Sequence, residues 1–133
     1  MATDNIATIN DIYEAFGRGD TEHIVAQVTD DVDWAAEAAG TGAPWYGNHR
    51  GPDGVRTFFE QFGKTMTPEE FTPLAIAANG DDVLSVVRFR VRSNDTGKTA
   101  TMLLQHWFRF RDGKIAYYRG TEDTAQTVAT LAR

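Results

Sequence analysis

The chain has 133 residues, of which 24% are charged and 41% are hydrophobic, and it contains no cysteine. These values are typical of one globular domain, and they exclude disulfides and cysteine-ligated metal sites. The net charge of −6 disfavours nucleic acid as a partner. No apolar run approaches the roughly 20 residues that span a bilayer, which disfavours membrane partners. We therefore predict a single domain over residues 1–133. Because Met1–Asn5 lacks the basic and apolar features of a signal peptide, we expect a cytoplasmic protein.

The first third of the sequence predicts two helices and a strand. The spacing of Ile6, Ile9, Tyr13 and Phe16 is helical, and the glycines between positions 17 and 19 predict its end. Asp20 has the side chain of a good N-cap. A short second helix is predicted from there to the acidic pair at 30–31, followed by a strand through Val32 and Trp34.

Residues 40–54 are rich in glycine and proline and predict a long loop. The loop contains Trp45 and Tyr46, and two such rings in one loop are typical of a lid. Pro52 fits the first position of a third helix. Its apolar face is formed by Val55, Phe58, Phe59 and Phe62, and Gly63 predicts its end.

After Pro68 the hydrophobic period changes from about 3.6 to two, which predicts strands. Strands are expected over residues 71–78, 83–92, 99–111 and 115–121, separated by turn sequences such as Asp112-Gly113. Asp123 or Thr124 is expected to cap a short final helix. The C-terminal half is therefore predicted to be a meander of antiparallel strands.

Alternation along the third of these strands predicts which side chains face the concave side of the sheet. Its inner face is apolar except for one imidazole and consists of Met102, Leu104, His106, Phe108 and Phe110. The outer face contains Leu103, Trp107 and arginines. We expect this outer face to be solvated or to contact a second copy of the chain.

Several segments together resemble the nuclear transport factor 2-like superfamily, in particular its SnoaL-like and ketosteroid-isomerase-like branch. They are Tyr13 to Asp20, Asp30 to Trp34, Tyr46-Gly47, Gly51 to Phe59, and His106 to Ile115 leading to Asp123. The resemblance implies an α+β fold, in which a cone-shaped, curved, antiparallel or mixed sheet is wrapped by three N-terminal helices around one apolar pocket. It also implies a homodimer formed through the outer sheet face.

The resemblance also indicates site residues. His106 matches the pocket-facing position where ketosteroid isomerases keep a protonated aspartic acid in their oxyanion hole. The general base of those isomerases falls just after Trp34, where this chain has Ala35-Ala36-Glu37. Glu37 would replace that base only after a one-residue shift. The resemblance also implies a role for Asp123, which matches the aspartate that SnoaL-like cyclases use as an acid or base.

Two candidate catalytic residues follow, His106 and Asp123, and each has a structural alternative. His106 lies among apolar side chains, where an imidazole that titrates near neutrality would donate a proton to a carbonyl compound or take one from it. The alternative is a core histidine bound to Tyr13 or to a backbone carbonyl. Asp123 lies three residues before Gln126 and also fits a capping box.

An apolar wall for a ring-bearing ligand is expected from the large side chains of the predicted pocket. The candidate substrate-binding residues are Tyr13, Trp34, Trp45, Tyr46, Phe58, Phe62, Phe89, Met102, Phe108 and Tyr118. A bulge in the last strand would decide whether Tyr118, Arg119 or Glu122 points inward. His49 and Arg50 are expected at the pocket mouth or in a solvated loop, and His23 on a helix surface. The histidine spacing predicts no metal site, and no cofactor motif is present.

The leading hypothesis is a cofactor-free isomerase or cyclase in which His106 and Asp123 move a proton next to the carbonyl group of a small hydrophobic compound. The main alternative is a small-molecule binding protein without catalysis, favoured by the alanines at the base position. A third alternative is water addition to an epoxide, as in limonene-epoxide-hydrolase-like relatives, which requires an Asp–Arg–Asp set.

Overall fold

The computed structural model describes residues 2–133, and the predicted domain over 1–133 therefore includes one residue, Met1, outside the described part. The elements in chain order are α1 (Ala2–Gly17), α2 (Thr21–Val25), β1 (Val28–Ala36), β2 (Gly47–Arg50), α3 (Gly51–Thr65), β3 (Met66–Asn79), β4 (Asp82–Ser93), β5 (Thr99–Arg111), β6 (Lys114–Thr121) and α4 (Thr124–Leu131). Within residues 2–133, no helix combines the length and apolar composition required to cross a bilayer.

The strands form one curved, open sheet with the order β2-β1-β6-β5-β4-β3. All neighbouring pairs are antiparallel except β1 and β6, which run parallel. Helices cover the concave side, where α1 packs against β3 and β4, and α3 packs against β1 and β2. The predicted α+β class, with a curved mixed sheet and helices around it, is confirmed.

The long hairpins follow from local turn chemistry. In the β5–β6 hairpin Arg111 pairs with Lys114, and the two turn residues Asp112 and Gly113 have φ values of 52° and 81°. Two consecutive positive φ values define a type I′ turn, whose twist matches that of the flanking strands. This turn fixes the register that brings β5 and β6 side by side in the sheet.

Three predicted boundaries were wrong. The predicted loop over residues 40–54 contains β2, a short edge strand that lacks apolar alternation. The second helix ends at Val25, and the acidic pair Asp30-Asp31 lies in β1. α3 continues past Gly63 to Thr65, and β3 begins at Met66, before Pro68. Because β3 is an edge strand, its prolines are tolerated at register shifts of the ladder.

Alternation was predicted correctly for β5 and β4. Met102, Leu104, Phe108 and Phe110 are buried, whereas Leu103 is 50% exposed. The outward arginines of β4 form ion pairs with Glu69 and Glu70 of β3. Exposed ion pairs of this kind contribute about 0–1 kcal/mol each. The inner face therefore provides the core, and it also encloses the cavity described next.

Candidate functional site

A cavity of about 90 Å³ lies between the concave face of the sheet and helices α1 and α3. Its wall is almost entirely aromatic and aliphatic, and its polar side-chain groups come from one histidine, two tyrosines, one threonine, one carboxyl group and the indole nitrogens of two tryptophans. The lining residues are Ile12, Tyr13, Phe16, Ile24, Trp34, Ala36, Trp45, Phe58, Phe59, Phe62, Phe71, Phe89, Leu104, His106, Phe108, Tyr118, Gly120, Thr121 and Glu122.

The cavity is small for a ring-bearing compound. An engineered apolar cavity of about 150 Å³ is large enough to bind benzene. Phe16, Phe59 and Phe71 are only partly buried, unlike the other phenylalanine rings of the wall. A ligand with one ring requires side chains of the wall to move, and these three are the least enclosed of its phenylalanines.

His106 lies on β5 and lines the cavity. Its Nδ1 atom is 2.7 Å from the hydroxyl oxygen of Tyr13, which in turn is 2.5 Å from the hydroxyl oxygen of Ser85. Burial lowers the pKa of His106 to about 4, because desolvation disfavours the charged imidazolium. Both sequence interpretations of this residue therefore describe part of the geometry: it is bound to Tyr13, and it also faces the cavity.

Tyr118 on β6 points inward and packs against Trp34, with ring centroids 4.3 Å apart. A Cβ atom built on Gly120 would overlap the Tyr118 hydroxyl group and would lie 3.5 Å from Cδ2 of His106. The Tyr118 hydroxyl group therefore occupies the position that a side chain at residue 120 would take, and the absence of a Cβ atom at Gly120 is what allows Tyr118 to lie there. On the same wall, the indole nitrogen of Trp34 is buried and has no hydrogen-bond partner within residues 2–133.

Glu122 supplies the carboxyl group of the cavity wall. Its Oε2 atom accepts hydrogen bonds from the hydroxyl groups of Tyr46, at 2.8 Å, and Thr127, at 2.5 Å. Burial raises the pKa of Glu122; the hydrogen bonds from Thr127 and Tyr46 oppose this rise, and the nearby charge of Glu37 adds to it. The open question about the last strand is thus resolved: Tyr118, Gly120 and Glu122 face inward.

The structure does not bring Asp123 to the cavity, which corrects the predicted pairing with His106. Asp123 is exposed and caps α4, where its Oδ1 atom accepts a hydrogen bond from the backbone N–H of Gln126 at 3.2 Å. The side-chain amide of Gln126 donates to its Oδ2 atom. These bonds hold the pKa of Asp123 below its usual value. The capping-box interpretation therefore describes this residue.

Eight of the ten predicted substrate-binding residues line the cavity, and two do not. Tyr46 is buried behind the wall and holds Glu122. Met102 is buried under α4, where its sulfur is 3.9 Å from the hydroxyl oxygen of Thr127. Sequence reasoning missed Phe16, Phe59, Phe71 and Leu104. The apolar periodicity of their elements is the signal by which they could have been found.

Glu37 does not replace the isomerase base. It directly follows β1 and has a φ of 47°, and its carboxylate accepts a hydrogen bond from the backbone N–H of Glu122 at 2.8 Å. The alanines at positions 35 and 36 are buried and carry no titratable group. The end of β1 therefore provides no general base.

The remaining candidate polar residues lie elsewhere. His49 contacts the backbone oxygen of Trp45 at 3.0 Å, and Arg50 is exposed beside Asp33. His23 is bound to Asp11 near the surface, at 2.6 Å. In the described part of the chain, no group of three or more His, Cys, Asp or Glu side chains has an arrangement that would hold a metal ion.

Comparison with protein families identifies this architecture. The family model of the SnoaL-like domain matches residues 9–118. The chain belongs to the SnoaL-like family. This match confirms the resemblance inferred from the sequence, within the nuclear transport factor 2-like superfamily. No curated protein matches the SnoaL-like chain by sequence.

Solved structures with the same fold are numerous. An NTF2-like protein of unknown function from Burkholderia pseudomallei K96243 is 24% identical, with a TM-score of 0.90 and 98% coverage of both chains. An NTF2-like protein from Burkholderia thailandensis E264 is 25% identical, with a TM-score of 0.86, 97% coverage of this chain and 98% of the other. TerC, co-crystallised with polyporic acid, is 24% identical, with a TM-score of 0.84, 96% coverage of this chain and 98% of the other.

More distant structures of the same fold include proteins named as an isomerase, an epoxide hydrolase and a polyketide cyclase, at 13–18% identity. Similarity at this level establishes the fold alone. The activity of this chain has to be argued from its own cavity.

Proposed function

We propose that this SnoaL-like protein is a cofactor-free acid–base catalyst that moves a proton next to the carbonyl group of a small hydrophobic, ring-bearing compound. The supporting observation is a pair of titratable groups, His106 and Glu122, in one aromatic cavity. Burial shifts their pKa values in opposite directions, downward for His106 and upward for Glu122. Opposed shifts of this kind are a common property of acid–base sites.

The proposed step conserves protons and electrons. A carboxylate takes the proton from the carbon next to the carbonyl, and the electron pair of the broken C–H bond forms an enolate. Return of a proton at another carbon gives an isomer, whereas attack of the carbon on an electrophile in the same molecule closes a ring. The raised pKa of Glu122 makes its carboxylate a stronger base than an exposed glutamate. Neighbours of the same fold named isomerase and cyclase are in keeping with either outcome.

The test is deuterium incorporation into ketones. The protein is incubated in D₂O with acetophenone, 1-indanone and 2-cyclohexen-1-one, and exchange at the carbon next to the carbonyl is measured by mass spectrometry. We expect protein-dependent exchange that His106→Ala reduces and that His23→Ala, at the surface, leaves unchanged. Exchange no faster than in buffer with every ketone, or equal exchange in His106→Ala, would exclude this function.

A second candidate is ligand binding without conversion, and one observation favours it. The end of β1, where the related isomerases are expected to have their base, carries only the buried alanines 35 and 36. Binding of these ketones at a stoichiometry of one, with no exchange, would support this alternative. Epoxide hydrolysis is less favoured, because the wall of the cavity within residues 2–133 includes neither aspartate nor arginine.

We also propose that two copies associate through the outer sheet face. Leu84 and Leu103 are 48% and 50% exposed there, and Leu84 lines a groove of about 420 Å³ together with Val86 and Trp107. Exposed apolar clusters of this kind are typical of association surfaces. Light scattering should give twice the chain mass for the wild type and for Val128→Glu on α4, and a monomer for Leu103→Glu. A monomeric wild type at micromolar concentration would contradict the proposal.

A further inference from the structure

The side chain of Glu37 replaces one backbone bond of the sheet beside Glu122. The parallel ladder of β1 and β6 pairs Ala36 with Gly120, and the N–H of Glu37 donates to the backbone oxygen of Gly120 at 2.9 Å. In a regular parallel ladder the next bond would run from the N–H of Glu122 to the backbone oxygen of Glu37. Here that N–H donates to the Glu37 carboxylate instead, at 2.8 Å. The carboxylate of Glu37 therefore takes the place of its own backbone oxygen.

The backbone of Glu37 turns away from β6. Its φ of 47° lies in the left-handed region, which a residue with a Cβ atom rarely adopts. Its backbone oxygen accepts hydrogen bonds from the N–H groups of Gly40, at 2.7 Å, and Gly47, at 3.4 Å. Unfavourable conformations of this kind persist where surrounding contacts hold them, often at functional sites. The chain therefore leaves the sheet at Glu37, while the carboxylate stays bound to the N–H of Glu122.

The loop that begins at Glu37 returns to Glu122 at its other end. There the hydroxyl group of Tyr46 donates to Oε2 of Glu122 at 2.8 Å. Gly40 lies between the two ends of the loop, since a Cβ atom built on it would be 2.8 Å from Cδ2 of Tyr46 and 3.1 Å from Cβ of Glu37. The loop is compact, and its ends hold the same residue: Glu37 binds the backbone of Glu122, and Tyr46 binds its carboxyl group.

Most groups around Glu122 carry no charge. Within the described residues, the cavity wall includes neither lysine nor arginine. Burial raises the pKa of Tyr46 and of Tyr118 on β6, so both phenols are neutral. His106 on β5 is neutral above its pKa of about 4, and α4 contributes the uncharged hydroxyl group of Thr127.

Two acidic side chains lie close to Glu122 along the chain or in space. Asp123 is exposed and caps α4. Glu37 is half-buried and bound to the backbone of Glu122. Burial raises the pKa of Glu122, and the charge of Glu37 adds to this rise, because a second negative charge disfavours ionisation. The side chain of Glu37 thus affects both where Glu122 lies and how readily it binds a proton.

We propose that Glu37 is a positioning residue, whose carboxylate fixes the backbone of Glu122 so that the Glu122 side chain points into the cavity. The end of β1 provides no general base, but in this arrangement it orients the carboxyl group that acts as one. The contribution to catalysis rests on the proposed function, whereas the position and the basicity of Glu122 are properties of the free protein.

Two substitutions separate the hydrogen bond from the charge. Glu37→Gln keeps an oxygen that accepts from the N–H of Glu122, but it removes the charge. Glu37→Gly removes both, and because glycine adopts a positive φ without strain, the loop should still fold. Glu14→Gln, which removes one charge from the exposed side of α1, is the control.

The first measurement is NMR of the free protein labelled with ¹³C,¹⁵N-glutamate, and Glu122→Gln provides the assignment. Glu37→Gln should lower the pKa of Glu122 and keep its amide proton in the downfield position of a hydrogen-bonded N–H. Glu37→Gly should also lower this pKa, and it should move the amide proton upfield. Glu14→Gln should change neither. An unchanged pKa of Glu122 in Glu37→Gln, or an unchanged amide proton in Glu37→Gly, overturns the proposal.

The second measurement is ketone exchange in D₂O as a function of pH. In Glu37→Gln the midpoint of the pH profile should move to lower pH, with a maximal rate within about tenfold of the wild type, as expected for a somewhat weaker base. Glu37→Gly should lose about 10- to 10²-fold of the maximal rate, the usual effect of a misplaced reacting group. A wild-type profile in both variants contradicts the positioning role.

Failure of the proposed function gives a different result. In that case no ketone exchanges faster with the wild type than in buffer, while the NMR differences between the wild type, Glu37→Gln and Glu37→Gly are still observed. If Glu37→Gly does not fold, the pKa of Glu122 in Glu37→Gln decides the question, because this variant keeps the hydrogen bond.

Discussion

Glu122→Gln is expected to lower the rate of ketone deuterium exchange by about 10²- to 10⁴-fold, the usual contribution of a positioned acid or base. The glutamine amide keeps the size of the side chain and an oxygen that accepts from Tyr46 and Thr127, but it cannot take a proton. In the wild type, exchange should increase with pH as Glu122 ionises, with a midpoint above the ordinary glutamate pKa of 4.5. This increase should be absent in Glu122→Gln.

Asp123→Asn is the matched control for this substitution. It neutralises the next residue in the chain, and asparagine caps a helix about as well as aspartate, so α4 should remain intact. We expect exchange in Asp123→Asn to equal that of the wild type. The reverse result, with a large loss in Asp123→Asn and none in Glu122→Gln, would restore the sequence-based assignment and contradict the present site.

Glu122→Gln should also stabilise the protein, because the pKa of Glu122 differs between the folded and the unfolded state. The pKa of Glu122 is higher in the folded state than in the unfolded chain, so the unfolded state releases this proton at lower pH. The free energy of unfolding therefore falls as pH rises from the unfolded pKa through the folded pKa. In Glu122→Gln the free energy of unfolding does not include this decrease, because glutamine does not titrate. Higher stability with lower activity is typical of residues that are kept for function.

The fold was predictable because its signals are local. Periodicity assigned α1 and α3, and turn chemistry such as that of Asp112-Gly113 fixed the hairpins. β2 was missed because a four-residue polar edge strand has no periodicity of its own. Its position depends on pairing with β1, which is a non-local interaction.

The candidate site was predictable only where alternation extends over a long strand. His106 lies in the middle of β5, and its inward direction follows from its neighbours. Glu122 lies just after the last strand, where one bulge would reverse the direction of every following side chain. The sequence therefore left Glu122 open and favoured Asp123 on the resemblance alone. The bond from Tyr46 to Glu122 joins residues that are 76 positions apart, and no local pattern indicates it.

His106 is expected to make the protein less stable in acid, and His106→Gln is expected to remove this effect. The folded protein holds the pKa of His106 at about 4, below the ordinary value of 6.5, so between these values the unfolded chain binds a proton that the folded protein does not. The free energy of unfolding consequently falls as pH decreases through this window. One pKa unit corresponds to about 1.4 kcal/mol, so the loss contributed by His106 between pH 7 and pH 4 is about 3 kcal/mol.

Urea unfolding at half-unit steps from pH 7 to pH 4 measures this contribution as the difference between the wild type and His106→Gln. Carboxyl groups that also titrate in this range are common to both proteins, and their effects cancel in the difference. Val87→Ala is the control, because it removes buried volume from β4, lowers stability at every pH and keeps the histidine. Its pH dependence should run parallel to that of the wild type. If His106→Gln also runs parallel to the wild type, the imidazole is already protonated in the folded protein at low pH. It would then lie in a more hydrated site, and the cavity around it would be open to water.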